Sequence, residues 1–157
     1  MRIYLDNAAT TKLCKTALDA MLPYLDTVYG NPSSLHSAGQ AAAEALEDAR
    51  ERIAEKLGCS AKEITFTSGG SEADNQAIVS AARMGDKKGN RHIVSTTFEH
   101  HAVLHTLKKL EKEGFEVTLL DVHENGIVLP GEVSRAIRED TCLVSVMYAN
   151  NEIGTIQ

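Results

Sequence analysis

The chain has 157 residues, of which 43% are hydrophobic and 24% charged, a balance suited to about one globular domain and not to a disordered chain. With 22 acidic against 16 basic residues and a net charge of −6, and no basic stripe, it is a poor partner for nucleic acid. No run approaches the ~20 apolar residues of a membrane span, and the N-terminus lacks the apolar core of a signal peptide, so the expected location is cytoplasmic.

In chain order, residues 3–5 read as a short strand, followed by a small-residue turn from Asn7 through Ala8 and Ala9 to Thr11. A helix is expected from Lys15 to Asp26, with Ala17, Met21 and Leu25 on one face. Tyr29 to His36 is a loop, because Gly30, Asn31-Pro32 and paired serines favour turns. Ala42, Leu46, Ala49, Ile53 and Leu57 then recur at helical spacing, and Gly58 suits a left-handed cap.

From there strands and helices alternate. Strands are expected at Ile64–Thr67, His92–Thr96, Glu116–Leu120 and Cys142–Met147, and helices at Glu72–Met84, around Val103–Leu110, and from Pro130 to Arg138. Asn125-Gly126 signals a turn. This alternation predicts an α/β fold with a doubly wound, mainly parallel sheet. Ligands in such sheets gather beyond the carboxyl ends of the strands.

Three polar clusters follow expected strand ends: Ser68 to Glu72, Thr97 to His100, and Tyr148 to Glu152. In the first, Gly69 and Gly70 allow a tight turn and a close backbone approach, and the helix that follows aims unpaired N–H groups at a ligand. Ser71 adds a hydroxyl, and Ser71 with Asp74 has capping-box spacing. An anion cradle and a merely capped turn both fit these residues. His100 opens a helix, where the dipole disfavours a second positive charge, so a neutral ring face there could stack on an aromatic cofactor; a histidine bonded only to backbone fits as well. Asn151 is an amide able to bond a ring oxygen or a carboxylate, or simply to form a turn. His101 and His105 stand at i,i+4, a metal-pair spacing without a third ligand or a glutamate base. Cys14, Cys59 and Cys142 match neither a disulfide framework nor a zinc site, and none has a nearby activating histidine.

Together these motifs resemble the NifS/IscS-type cysteine desulfurases, in the class V aminotransferase group of fold-type-I pyridoxal-phosphate enzymes. The matching segments are Tyr4 to Thr10 (YLDNAAT), Gly30 to His36 (GNPSSLH), Thr67 to Asn75 (TSGGSEADN), Glu99-His100, and Asn150 to Gly154 (NNEIG). The last favours the NifS/IscS branch over the SufS-like one. The resemblance implies pyridoxal 5'-phosphate as cofactor, with Gly70 and Ser71 on its phosphate, His100 stacked on its ring and assisting proton transfer, and Asn151 on its phenolic oxygen. Asn7, Ala8 and Asn151 would lie by the substrate. His101 departs from the lysine common after the stacking histidine.

The implied reaction takes L-cysteine to L-alanine and leaves sulfur as a persulfide on an enzyme cysteine. The resemblance covers residues 1–157 as an incomplete domain, with 1–30 an N-terminal segment and 31–157 part of the large cofactor-binding domain. The Schiff-base lysine segment and the sulfur-accepting cysteine loop are not among these residues, so the chain is expected to be inactive alone. One half of a split desulfurase, or a non-catalytic phosphate-binding or assembly module, would carry the same residues. Implied partners are a second copy or a complementing C-terminal chain, and an iron–sulfur scaffold protein.

Overall fold

A computed structural model describes residues 3–157 of the chain. It divides into two compact units, one up to Phe66 and one from Thr67 to Gln157.

The first unit contains α1 (Lys15–Asp26), α2 (Ser37–Leu57) and a single 3-10 turn at Ala61–Glu63. His36 opens α2 by accepting the Gly39 N–H on Nδ1 at 3.3 Å, and Gly58 closes it at φ 68°, a left-handed cap. The loop before α2 runs so close to the helix that a Cβ on Gly39 would lie 2.3 Å from the Ser34 carbonyl oxygen. After α2, Arg50 donates from Nη1 to the Ile64 carbonyl at 2.5 Å and stands 4.9 Å from the Phe66 ring centroid, holding the chain that leaves the 3-10 turn. Only Gly39 and Ala54 are buried in this unit's described residues. Met21 and Leu25 on α1, and Leu46, Ile53 and Leu57 on α2, are exposed.

Two expected strands are absent. Residues 3–5 and Ile64–Thr67 take no ladder partner. Ile64 is extended, at φ −91° and ψ 123°, as its β-branched side chain favours. Local preference supplies the conformation, but a strand also needs a neighbour to accept its backbone bonds.

In the second unit the chain forms α3 (Gly70–Asp86), β1 (His92–Thr96), α4 (His101–Lys112), β2 (Glu116–Leu120), α5 (Pro130–Ala136) and β3 (Thr141–Val144). The strand order is β2-β1-β3, and both pairings are parallel. The chain steps from β1 to β2, then returns past β1 to β3. Right-handed crossovers in those opposite directions place α4 and α5 on opposite faces, which is the doubly wound arrangement. The reversal occurs at β1, whose five residues are all buried.

Ile78 and Ala82 of α3, Val103, Leu107 and Leu110 of α4, Ile93 of β1 and Phe115 form the core, with Val117, Cys142 and Leu143 packed against it. Fully burying a large aliphatic or aromatic side chain stabilises by ~1.5–3 kcal/mol, so this cluster rather than helix propensity fixes α3 and α4 on the sheet. β3 ends at Val144, short of the expected Met147. One more bond continues the ladder, from the Ser145 N–H to the Val94 carbonyl at 2.9 Å, after which the chain turns. α5 ends at Ala136, two residues before the expected Arg138.

Candidate functional site

The carboxyl ends of β1 and β3 open on a cavity of about 250 Å³ whose lining includes Glu99, His100, Met147, Asn150, Asn151 and Glu152. Its position follows from topology, since a crevice forms where adjacent connections leave a parallel sheet in opposite directions. His100 is the N-cap of α4: its Nδ1 accepts the Ala102 N–H at 3.1 Å. With Nδ1 accepting, the proton of the neutral ring sits on Nε2.

Beyond β3, residues 149–156 form a tight turn closed by an antiparallel bridge between Ala149 and Ile156. Asn150 shapes it. Its Oδ1 accepts the N–H groups of Glu152 at 2.8 Å and Ile153 at 3.0 Å, and Gly154 supplies a φ of 75°. Asn151 is carried on this turn, exposed, and lines the cavity.

Glu99 is 7% exposed. Its Oε1 accepts the Met147 N–H at 2.6 Å and the Thr96 hydroxyl at 2.9 Å. Burial raises its pKa above the ordinary carboxylate value; the two hydrogen bonds oppose that rise, and the charge of Asp74 adds to it.

The glycine-rich turn leads into α3. Gly69 is its N-cap and has no side chain to offer; the first helical bond runs from the Ala73 N–H to the Gly69 carbonyl at 3.1 Å. The N–H groups of Gly70, Ser71 and Glu72 precede it. A Cβ placed on Gly69 or Gly70 would meet nothing within 4 Å, so there is room beside the backbone at this turn. The expected pairing of Ser71 with Asp74 is not made. Glu72 reaches back instead, accepting the Ser68 N–H at 2.7 Å and its hydroxyl at 2.6 Å, and those bonds lower its pKa. With a glycine at the N-cap no side chain caps the helix start, and Glu72 bonds back to Ser68, leaving the Ser71 hydroxyl outside this pairing.

Asn75 joins this turn to α4. Its Nδ2 donates to the Ser71 carbonyl at 2.7 Å and to Ala102 at 3.4 Å, and its Oδ1 accepts the Thr106 hydroxyl at 2.7 Å. The opening turns of α3 and α4 are thereby linked. Sequence reasoning included Asn75, Glu99 and Asn150 in motifs without giving them roles. Their signal was present but faint. Glu99 and Asn150 each precede a candidate site residue and only burial distinguishes them, while the exposed Asn75 is distinguished only by its bonds to Ala102 and Thr106.

Asn7 and Ala8 belong to the first unit, in a turn where the Asp6 carbonyl accepts the N–H groups of Ala9 at 3.2 Å and Thr10 at 3.3 Å. His101 and His105 stack with ring centroids 5.4 Å apart.

An open parallel α/β sheet with a glycine-rich helix start and a polar crevice at its switch point defines a cofactor- or nucleotide-binding class. More specifically, the chain belongs to the aminotransferase class-V family, whose pattern it matches over residues 3–157. It is 51% identical over 155 residues to the cysteine desulfurase IscS of Methanosarcina thermophila, covering 99% of this chain and 38% of that protein. Among solved structures, a NifS-like protein superposes with a TM-score of 0.95 at 43% identity, over 100% of this chain and 43% of the other. A structure described as SspA in complex with cysteine gives a TM-score of 0.87 at 38% identity, over 96% of this chain and 43% of that one. The chain thus spans about two-fifths of the length of the relatives it matches. The family depends on pyridoxal phosphate, and this chain is the N-terminal portion of a cysteine-desulfurase-type sequence.

The residues present fit that cofactor's phosphate end. A 17-residue helix begins without a side-chain cap, at a glycine pair with open space beside it, and such a terminus favours an anion.

Proposed function

We propose that residues 1–157 supply the phosphate- and ring-holding half of a pyridoxal-phosphate-dependent cysteine desulfurase site. The observation that carries this reading is the glycine-opened start of α3, tied through Asn75 to the helix that begins at His100. Gly70 and Ser71 would bind the phosphate through backbone N–H groups and the hydroxyl. His100, its Nδ1 engaged with the Ala102 amide, would lay its ring against the pyridine and hold a proton at Nε2. Asn151 would bond the phenolic oxygen and help orient the substrate. Asn7 and Ala8 are proposed as substrate-side residues on the family pattern, as is the division into residues 1–30 and 31–157.

When bound, the cofactor supplies an electron sink for chemistry at the substrate's α-carbon. The proposed substrate is L-cysteine, the products L-alanine and a persulfide. The name of the SspA structure, with cysteine bound, supports that choice. No lysine or cysteine motif of the kind that anchors cofactor and sulfur occurs among these residues, so we propose that they bind cofactor without turnover. The proposed partner is a second copy, as a homodimer, or a complementing C-terminal chain whose missing segments would complete the site. An iron–sulfur scaffold would receive the sulfur, and the cytoplasm is the proposed location. Among the described residues no helix is long and apolar enough to cross a membrane.

Titration of the purified chain with pyridoxal phosphate, followed by absorbance and fluorescence, tests the reading. Saturable binding at least ~10-fold tighter than inorganic phosphate is expected, and Ser71→Ala should weaken it by about 5- to 10-fold, the effect of one hydrogen bond. Equal, weak binding of both ligands would favour a general phosphate module. Alanine and sulfide released from cysteine by these residues alone would overturn the binding-without-turnover proposal.

A further inference from the structure

We propose that Glu99 and Asn150 are positioning residues that clamp the segment carrying Asn151 to the segment carrying His100. What that separation serves rests on the reading under Proposed function. The two segments leave different strands and are 48 to 52 residues apart in sequence at their points of contact. The β1–β3 ladder extends no further than the bond from Ser145 to Val94. Beyond it, two side chains carry the connection in opposite directions. From the β1 side, Glu99 accepts the Met147 N–H at 2.6 Å. From the β3 side, Asn150 donates through Nδ2 to the Phe98 carbonyl at 3.0 Å.

Each clamp residue also shapes its own segment. Glu99 takes the Thr96 hydroxyl at 2.9 Å, and Asn150 takes the Glu152 and Ile153 amides. Glu99 and Asn150 are 7% and 8% exposed, while their neighbours His100 and Asn151 are exposed. In each pair the buried residue is the anchor and the next residue is presented to the cavity. Buried hydrogen bonds are sheltered from competing water, and charge-assisted ones are the stronger kind, so the pair can hold a separation that the sheet itself no longer sets.

Two variants cut the clamp selectively and a third is the control. Asn150→Asp keeps an oxygen for the Glu152 and Ile153 amides and removes the donor to Phe98. Glu99→Leu removes the acceptor for Met147, whereas Glu99→Gln retains one. Amide exchange at Met147, Glu152 and Ile153, NMR signals of the His100 ring, and the ratio of pyridoxal phosphate to inorganic phosphate affinity are read on the chain. Glu99→Leu should speed exchange at Met147 by about 10-fold, and both Glu99→Leu and Asn150→Asp should shift the His100 ring signals. Both should weaken pyridoxal phosphate binding by about 10-fold with inorganic phosphate binding unchanged; Glu99→Gln should resemble the parent. Should Glu99→Leu fail to fold, Asn150→Asp set against Glu99→Gln decides the matter. Unmoved His100 signals in Asn150→Asp, or a Glu99→Gln that leaves His100 as disturbed as Asn150→Asp does, would overturn the clamp. If the parent chain binds no pyridoxal phosphate the functional reading fails, and the exchange and His100 measurements still judge the clamp.

Discussion

His92 is a fully buried residue at the start of β1, at the opposite end of the strand from the cavity. Its Nδ1 pairs with the Thr141 hydroxyl at 2.7 Å and its Nε2 with that of Thr118 at 2.9 Å, so one ring crosses all three strands. Burial lowers its pKa below 6.5, Arg138 lowers it further, and Asp140 and Glu116 partly offset this. The folded state therefore resists protonation more than the unfolded chain does. Between the two pKa values the unfolded state binds more protons, so stability rises with pH there. The contribution is complete above pH ~6.5 and is lost as pH falls below it. Urea midpoints measured from pH 7.5 down to 5.5 should fall more steeply for the parent than for His92→Gln, which keeps polar atoms but cannot titrate. Parallel curves would show that His92 is not the group responsible. The same scale shows why function was only partly legible. His100 and Asn151 stood out by residue type and motif, while the anchoring of each resides in the residue before it.

At the scale of elements, two glycines on α3 have opposite meanings. At Gly85 a Cβ would come 2.2 Å from the Cys142 Cβ and 2.9 Å from its Sγ; the helix lies against β3 because nothing projects there. At Gly70 a Cβ would meet nothing within 4 Å. Gly85→Ala should therefore destabilise by ~1–3 kcal/mol through overpacking. Gly70→Ala should change stability by no more than about 0.5 kcal/mol yet impair phosphate binding. Chemical denaturation and ligand titration of the two variants separate these roles; a Gly70→Ala that binds phosphate normally would remove the cradle's main support. The motif marks Gly70, but nothing in the sequence marks Gly85, since the neighbour that matters there is 57 residues away, at Cys142. By contrast, α1, β1 and β2 were readable to the residue, because periodicity, turn residues and caps lie within each element.

The whole molecule is uneven in how it covers its apolar surface. From Thr67 onward, β1 and the facing sides of α3 and α4 make a closed core. Up to Phe66, large apolar side chains are exposed: Leu25 71%, Leu57 69% and Tyr24 51%. Surfaces of this kind mark interaction sites or aggregation hazards. The chain in isolation is expected to self-associate with rising concentration and to bind an apolar dye. Sedimentation and dye fluorescence measure both, and Leu25→Lys with Leu57→Lys should reduce them. A dye-free monomer at all concentrations would contradict this reading.

The sequence by itself determined the alternating α/β pattern, the helix limits set by caps and glycines, and the order of motifs that leads to the class-V family. These are local properties, set by dihedral preference and by apolar spacing within one element. Tertiary structure alone decided that Ile64–Thr67 remains extended without becoming a strand, because a ladder needs a partner. It also decided that Glu72 rather than Asp74 folds back over the start of α3, and that Glu99 and Asn150 grip each other's segments. The strand and the Glu99–Asn150 contacts depend on burial and on residues far apart in the chain, which no local preference encodes. The Glu72 bond to Ser68 is local and turns on which of two nearby carboxylates the actual helix start brings into reach.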